Sequence, residues 1–340
     1  MTVSGGNTAK VLITGAGGYI GSRAVEYFMK MGCDVTGMIH HSVSERFAGS
    51  GARAVRADLR DPASLDRLFE ERYDYVIHIA ARASDVGRDE LFRTVNFEAV
   101  KHLAKRCVEN RVRRFVYLST SDVYGLHDFH GETEDELVFD HMAKHPYPKY
   151  KILSEEWLKA SLPPERFSCV RPCVVWGDGD STITPRAVAY LKSTPRVFHF
   201  GRWKGRNRWP LAHVDNVCKT LYAAMLLPEA GGRGVTVLDS KYTTLCDFYR
   251  DLAAQFLPEK TVKEVCLPVW TVLPAAWTSA ALSSLLKRTA PLFDPTPYAL
   301  ATITHNLDFS NARMLRWIGE SGSRRPSAEP AEGNNAGAQG

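Results

Sequence analysis

Residues Thr14–Gly21 read TGAGGYIG. The glycines Gly15, Gly18 and Gly21 stand three apart, directly after the apolar run KVLIT and at the head of a helix-like segment. No other stretch constrains the chain as strongly. Glycines let a strand-to-helix turn close and let backbone approach a pyrophosphate, whose charge the helix N-terminus meets. Tyr19 and Ile20 fall inside the same turn. A tight turn without a ligand is the alternative reading of the triplet.

The residues that follow decide between them. Short apolar runs alternate with helix-like segments: GSRAVEYFMKMG, then DVTGMIH, ASLDRLFEE, YDYVIHIAA, NFEAVKHLAKRCVENRV, RRFVYLST and SCVRPCVVWG. Such alternation predicts βαβ units and a parallel sheet covered on both faces. The expected fold is α/β, a doubly wound parallel sheet (Rossmann fold) with a smaller C-terminal substrate lobe. The dinucleotide domain is expected over 8–178, with 211–250 returning to it through GVTVLDS. Segments 179–210 and 251–318 are assigned to the lobe, and the polar, Pro/Gly-rich 320–340 to a disordered tail.

Composition narrows the class. The chain has 340 residues, 44% of them apolar, and a net charge of +5. That suffices for a large core, and without a Lys/Arg run it does not point to nucleic acid. The seven cysteines are odd in number and scattered, as in a reducing compartment. No spacing typical of a metal site occurs; His40–His41 is the one close histidine pair, so no metal is expected. The first ten residues lack the apolar region of a secretory signal. Leu267–Leu286 is uncharged and about as long as a bilayer span, but Pro268, Pro274 and several Ser and Thr interrupt it. It reads as helical lobe material, so the expected location is cytoplasmic, with at most peripheral membrane contact through 267–292.

Cofactor choice should show at the end of the second strand, where an acid holds a ribose 2′-hydroxyl. Ile39 occupies that place, and the first acid beyond it is Glu45. His40, His41, Ser42 and Arg46 suit a 2′-phosphate instead, so NADP(H) is favoured over NAD(H); a solvated loop is the bland alternative.

A second stretch, HPYPKYKILSEEW at 145–157, sets Tyr147 and Lys151 four apart, one turn along a helix that Pro148 is suited to start. A free tyrosine is a weak base because its pKa is about 10, and a nearby cation favours the phenolate. The pair could therefore manage the proton of an alcohol. A chance YxxxK on a basic, aromatic surface is the competing reading.

The motifs then converge in one order: TGxxGxxG, ADL at 57–59, IHIAA at 77–81, TVN at 94–96, YLSTSDVYG at 117–125, YxxxK and RPCVVWG at 171–177. Over roughly 8–318 the chain resembles the extended short-chain dehydrogenases/reductases of the NAD-dependent epimerase/dehydratase superfamily. AARASDVG, YPKYK, HVDNV and the apolar C-terminal lobe resemble the 3β-hydroxysteroid dehydrogenase group most. The resemblance implies pyrophosphate contacts at Gly15, Gly18 and Gly21, and adenine contacts at Asp58 and Leu59. It implies that Ala80 and Ala81 line the ribose–phosphate path and that Asn96 braces it. Pro172 and Val175 would lie by the nicotinamide, and Lys151 would reach its ribose. Thr120, Tyr147 and Lys151 would be the catalytic trio, with Ser119 and Ser121 as rivals of Thr120. Dehydratases of the superfamily carry Asp then Glu after the threonine; Ser121 and Asp122 stand here, which argues against dehydration. A homodimer is also common in the family.

The implied reaction interconverts a secondary alcohol and a ketone. The uncharged run with Trp270 and Trp277 suits a hydrophobic substrate such as a 3β-hydroxysteroid, sterol or bile acid. Against this, GRWKGRNRWP at 201–210 offers Arg202, Lys204, Arg206 and Arg208 to an anion. A UDP-sugar 4-epimerase and an NADPH-dependent β-keto acid reductase are the alternatives. Cys173, beside Pro172, reads as a packing cysteine rather than a reactive thiol.

Overall fold

The computed structural model describes residues 8–41, 43–286, 288, 291, 292, 294–322, 324 and 326. Among these, seven parallel strands form the central sheet in the order β3-β2-β1-β4-β5-β7-β11. They are β1 (Lys10–Thr14), β2 (Asp34–Ile39), β3 (Arg53–Arg56), β4 (Tyr75–His78), β5 (Arg114–Leu118), β7 (Phe167–Pro172) and β11 (Gly234–Val237). Strands β1, β4, β5 and β7 are buried along nearly their whole length, as a sheet covered on both faces requires. This is the expected doubly wound sheet. The strand order reverses between β1 and β4, and ligands of such sheets bind outside the carboxyl ends at that point.

Helix α1 (Tyr19–Lys30) buries Ala24, Val25 and Phe28 on one face. It packs against α8 (Val214–Leu226), which is buried almost throughout. The interval between β1 and β5 also carries α2 (Glu45–Ala48), α3 (Pro62–Arg67), α4 (Asp89–Arg93) and α5 (Ala99–Glu109). The expected single helix over 96–112 instead begins with α4, passes through one wide turn at Thr94–Glu98, and continues as α5.

SCVRPCVVWG, expected as one strand, is two. Cys173 N donates to Val237 O at 3.0 Å, whereas Val174 N donates to Pro210 O at 3.0 Å. The ladder thus changes partner at Cys173, and β8 (Val174–Trp176) pairs with β10 (Leu211–His213). Two further parallel pairs escape the alternation pattern. One joins β6 (Phe129–Glu132) to β13 (Leu307–Phe309), and the other joins β9 (Arg196–Phe200) to β12 (Lys263–Leu267). The remaining helices are α6 (Pro146–Ser161), α7 (Ile183–Ser193), α9 (Leu245–Phe256), α10 (Leu273–Leu285), α11 (Pro297–Thr304) and α12 (Ala312–Ser321).

Three expectations need correction here. Helix α12 runs through Glu320 and Ser321, so an ordered element extends past the expected start of the tail; 327–340 lie outside the described residues. Helix α6 begins at Pro146, not Pro148. His145 caps it by accepting from Tyr147 N at 3.2 Å. Both prolines lie in the first turn, where backbone N–H groups have no helical partner to lose. Trp270 and Trp277 are 72% and 61% exposed, so neither lines an interior substrate site. Among the described residues, no helix is long and apolar enough to cross a membrane.

Candidate active site

A cavity of about 1190 Å³ runs from the glycine loop, across the carboxyl ends of β1 and β4, to α6 and the C-terminal lobe. At its nucleotide end the chain presents mostly backbone. Gly15 has φ +72°, and a Cβ there would lie 2.9 Å from Ala80 N and Cα. A Cβ on Gly21 would lie 2.0 Å from Gly15 O. Only glycine allows the loop and helix to close this far. Gly18 caps α1 without any side-chain bond, so the first amides of the helix remain for an anion. The buried Tyr19 hydroxyl has no hydrogen-bond partner among the described residues. Thr14 Oγ1 bonds His78 Nδ1 at 2.8 Å and accepts from Ile79 N and Ala80 N at 3.1 Å each, fixing the two strand ends against each other. The open amides, the glycine cradle and the length of the cavity fit a dinucleotide.

Ile20, Ala81, Leu59 and Asp58 line the same end. Asp58 is bound by Arg60 at 2.6 Å and by His40 at 3.1 Å. Hydrogen bonds from Arg60 hold its carboxyl well below the usual carboxylate range. The His41 ring lies against that of His40, tilted by 46° with centroids 3.5 Å apart. Asn96 accepts from Arg82 N at 2.8 Å and donates to Arg82 O at 2.9 Å. It therefore braces the chain leaving β4 from outside the cavity wall.

At the other end stand Thr120, Tyr147, Pro172 and Val175. Thr120 follows β5, and its side chain accepts from Asp122 N at 3.3 Å while both it and Tyr147 border the cavity. Its rivals Ser119 and Ser121 border the same cavity. Burial, with the Asp122 carboxylate second, pushes the Tyr147 phenol well above its ordinary value. Lys151 does not border the cavity. It is 2% exposed, and its Nζ donates to Leu118 O at 2.7 Å and lies 5.9 Å from the centre of the Tyr147 ring. Burial pulls Lys151 down to about 7. The helical spacing thus brings Lys151 near Tyr147 but beneath it, against the end of β5.

Residues 11–238 match the NAD dependent epimerase/dehydratase family, two thirds of the chain. This chain belongs to that family. Members are oxidoreductase-type enzymes that work with NAD(P). Short-chain dehydrogenase/reductase family 42E member 1 of Danio rerio is 29% identical over 262 residues, covering 71% of this chain and 66% of that one. A 2-alkyl-3-oxoalkanoate reductase of Stenotrophomonas maltophilia is 26% identical over 66% of this chain and 68% of its own. The solved UDP-glucose 4-epimerase of Thermotoga maritima shares the fold at 21% identity and TM-score 0.63, over 76% of this chain and 85% of that one.

Beyond the family motifs, the cavity recruits residues that the sequence did not single out. Tyr298, on α11, donates its hydroxyl to Asp122 and stacks on His145 at 4.1 Å. His145 Nε2 in turn bonds Asp85 O at 3.1 Å. Arg186, on α7, bonds Asp85 at 2.8 Å and Asp294 at 2.7 Å. Phe198, Phe200, Trp209, Phe248 and Tyr249 supply an apolar wall. These side chains come from far-apart segments without a shared motif, so only spacing across the fold could reveal them.

The basic segment 201–210 does not serve as an anion site at the cavity. Arg202 pairs with Asp128, and Arg208 is buried over the Tyr242 ring at 4.2 Å with Asp308 at 3.6 Å. Trp209 alone of the segment's charged and aromatic residues reaches the cavity wall. Arg46 pairs with Glu26 and Asp178 and does not face the nucleotide end; Ser42 lies outside the described residues. Arg60 takes the place expected of Arg46 in lining that end. Burial pushes the Cys173 thiol up to about 12, which suits a packing role rather than a nucleophile.

Proposed function

We propose that the protein is an NADP(H)-dependent oxidoreductase that interconverts a secondary alcohol and a ketone on a hydrophobic substrate of the 3β-hydroxysteroid, sterol or bile-acid kind. The observation that carries the reading is that Thr120 and Tyr147 border one cavity together with an apolar wall of Phe198, Phe200, Trp209, Phe248 and Tyr249. The nicotinamide, when bound, accepts or supplies the hydride. Thr120 would hold the substrate oxygen, and Tyr147 would give or take its proton at the phenolic Oη. Lys151, fixed by Leu118 O beneath the ring, is suited to stabilise the phenolate as the proton leaves. The aromatic wall excludes water and supplies buried apolar contact.

The NADP(H) preference is supported by the buried Ile39 where an acid would hold a 2′-hydroxyl, and by His40, His41 and Arg60 lining that end. The carboxylate of Asp58 already holds Arg60, so a 2′-phosphate would have to draw the guanidinium away from it.

Arg186 bears on the alternatives. It borders the substrate end between two carboxylates, so its charge is already answered there. A sugar diphosphate or a β-keto acid needs a cation to spare. The resemblance to a 2-alkyl-3-oxoalkanoate reductase keeps the keto-acid reading as second choice.

A turnover panel tests the proposal. NAD⁺, NADP⁺ and their reduced forms are offered with hydroxysteroids, β-keto acids and UDP-sugars, and nicotinamide absorbance is followed. Steroid turnover with net cofactor change is expected. Product from a UDP-sugar at constant nicotinamide absorbance would overturn it in favour of the epimerase.

A further inference from the structure

Strand β9 alternates its side chains between two environments. Phe198 and Phe200 face the cavity, while His199 turns to the opposite side. There it meets Cys246 from the first turn of α9 and Glu264 from β12. His199 Nε2 lies 3.5 Å from Cys246 Sγ, and Cys246 Sγ lies 3.6 Å from Glu264 Oε2. One potential ligand atom from each residue falls within 4.8 Å of the others. His199 is 1% exposed, and its Nδ1 has no hydrogen-bond partner among the described residues.

The backbone packs tightly against the cluster. Gly205, at φ +80°, passes so close that a Cβ there would lie 2.4 Å from His199 Nδ1 and 2.6 Å from Cys246 Sγ. Only glycine lets the loop approach the imidazole and thiol this closely. Cys266 stands two residues after Glu264 on β12. Its Sγ comes within 3.9 Å of Lys204 O, the same carbonyl that Cys246 Sγ approaches at 3.8 Å.

We propose that His199, Cys246 and Glu264 form a zinc-binding site behind the substrate wall. Zinc takes sulfur at about 2.3 Å and nitrogen or oxygen at about 2.0–2.2 Å in tetrahedral sites, which sets neighbouring donors roughly 3.5 Å apart. The two separations to Cys246 Sγ, 3.5 and 3.6 Å, match that spacing, and the third donor pair lies within 4.8 Å. A mixed thiolate, imidazole and carboxylate set also favours zinc over the hard cations, which prefer oxygen alone. Three protein ligands leave a fourth position for water or Cys266. Binding would replace the thiol proton of Cys246 with the metal and release that proton. Arg250, which holds Glu264 at 2.9 Å, has a side chain 58% exposed and can swing into solvent. The site would tie β9, α9 and β12 together behind the residues that face the substrate.

The test uses the full chain, stripped with a chelator and titrated with zinc and with cobalt(II). One equivalent of zinc per chain is expected, together with a thiolate-to-cobalt charge-transfer band. Cys246→Ser and His199→Gln should each weaken zinc binding by at least about 10-fold. Cys246→Ser should also abolish the cobalt band. Cofactor binding by each variant reports that it has folded; if Cys246→Ser does not fold, His199→Gln carries the test. Arg250→Met removes the competing cation and should bind zinc more tightly. Cys266→Ser tells a three-ligand site, which keeps zinc, from a four-ligand one, which loses it; both outcomes support the site. Absence of a thiolate band in the wild type, or equal zinc affinity in wild type and His199→Gln, would overturn the proposal.

Discussion

At the nucleotide end of the cavity the chain works chiefly with backbone: a glycine turn, open helix amides and two strand ends joined through Thr14 and His78. At the substrate end it works with side chains drawn from α6, α7, α11 and the loops after β4 and β5. Backbone geometry of the first kind tolerates almost no substitution at its glycines, yet it is generic, because any dinucleotide presents the same diphosphate. The second kind is assembled from non-local contacts and can vary without disturbing the first. The two ends should therefore fail separately when altered.

The largest effect is expected at their junction. Tyr147→Phe keeps the ring and removes the proton, so kcat should fall by about 10²- to 10⁴-fold while cofactor affinity, measured by fluorescence titration, stays near wild type. Full activity in this variant would refute the mechanism. Next comes the backbone end. Gly21→Ala puts a methyl into Gly15 O, and neither backbone can move aside. Cofactor Kd should rise at least about 100-fold, or roughly 2.8 kcal/mol, with the ranking among substrates unchanged. A change in substrate ranking would show that the two ends are coupled after all.

Arg186→Met tests the other side of the comparison. It leaves Asp85 and Asp294 facing each other without their shared cation. Substrate KM should shift by about 10-fold with cofactor Kd unaltered, as expected when polar groups at a site lose their partners. The same comparison predicts a pH dependence of stability at Lys151. Burial lowers this amine from 10.5 to about 7. Between those values the unfolded chain binds the extra proton, so the stability contributed here rises with pH across the window. Below pH 7 both states are charged, and the folded one bears the full desolvation cost. The stability gained by Lys151→Met relative to wild type should therefore be greatest near pH 6 and shrink toward pH 10, as followed by thermal unfolding. A difference independent of pH would mean that the buried amine keeps its ordinary affinity for the proton.

The pattern of legible and illegible features follows sequence distance. Glycines spaced three apart within eight residues, and Tyr147 and Lys151 one helical turn apart, announce themselves because the geometry each sets is local to a few residues. Alternating apolar runs likewise announced the buried central strands. The strand break at Cys173 did not, because it depends on which partner, Val237 or Pro210, lies opposite each amide. Helical spacing also placed Lys151 beside Tyr147 without revealing that its amine would turn under the ring to Leu118 O. The exposed Trp270 and Trp277 taught the converse: an apolar stretch need not face the interior.

The sequence by itself determined the doubly wound sheet and the glycine turn, since each rests on periodicity or on steric demands within a few residues, and its ordered motifs carried the resemblance to the family. Tertiary structure alone decided which charges are answered and which atoms meet. It paired Arg202 with Asp128, set Arg186 between Asp85 and Asp294, brought Tyr298 to Asp122, and gathered His199, Cys246 and Glu264 from three elements. Those contacts join residues tens to hundreds of positions apart, and only the packing of helices and strands sets the distances between them.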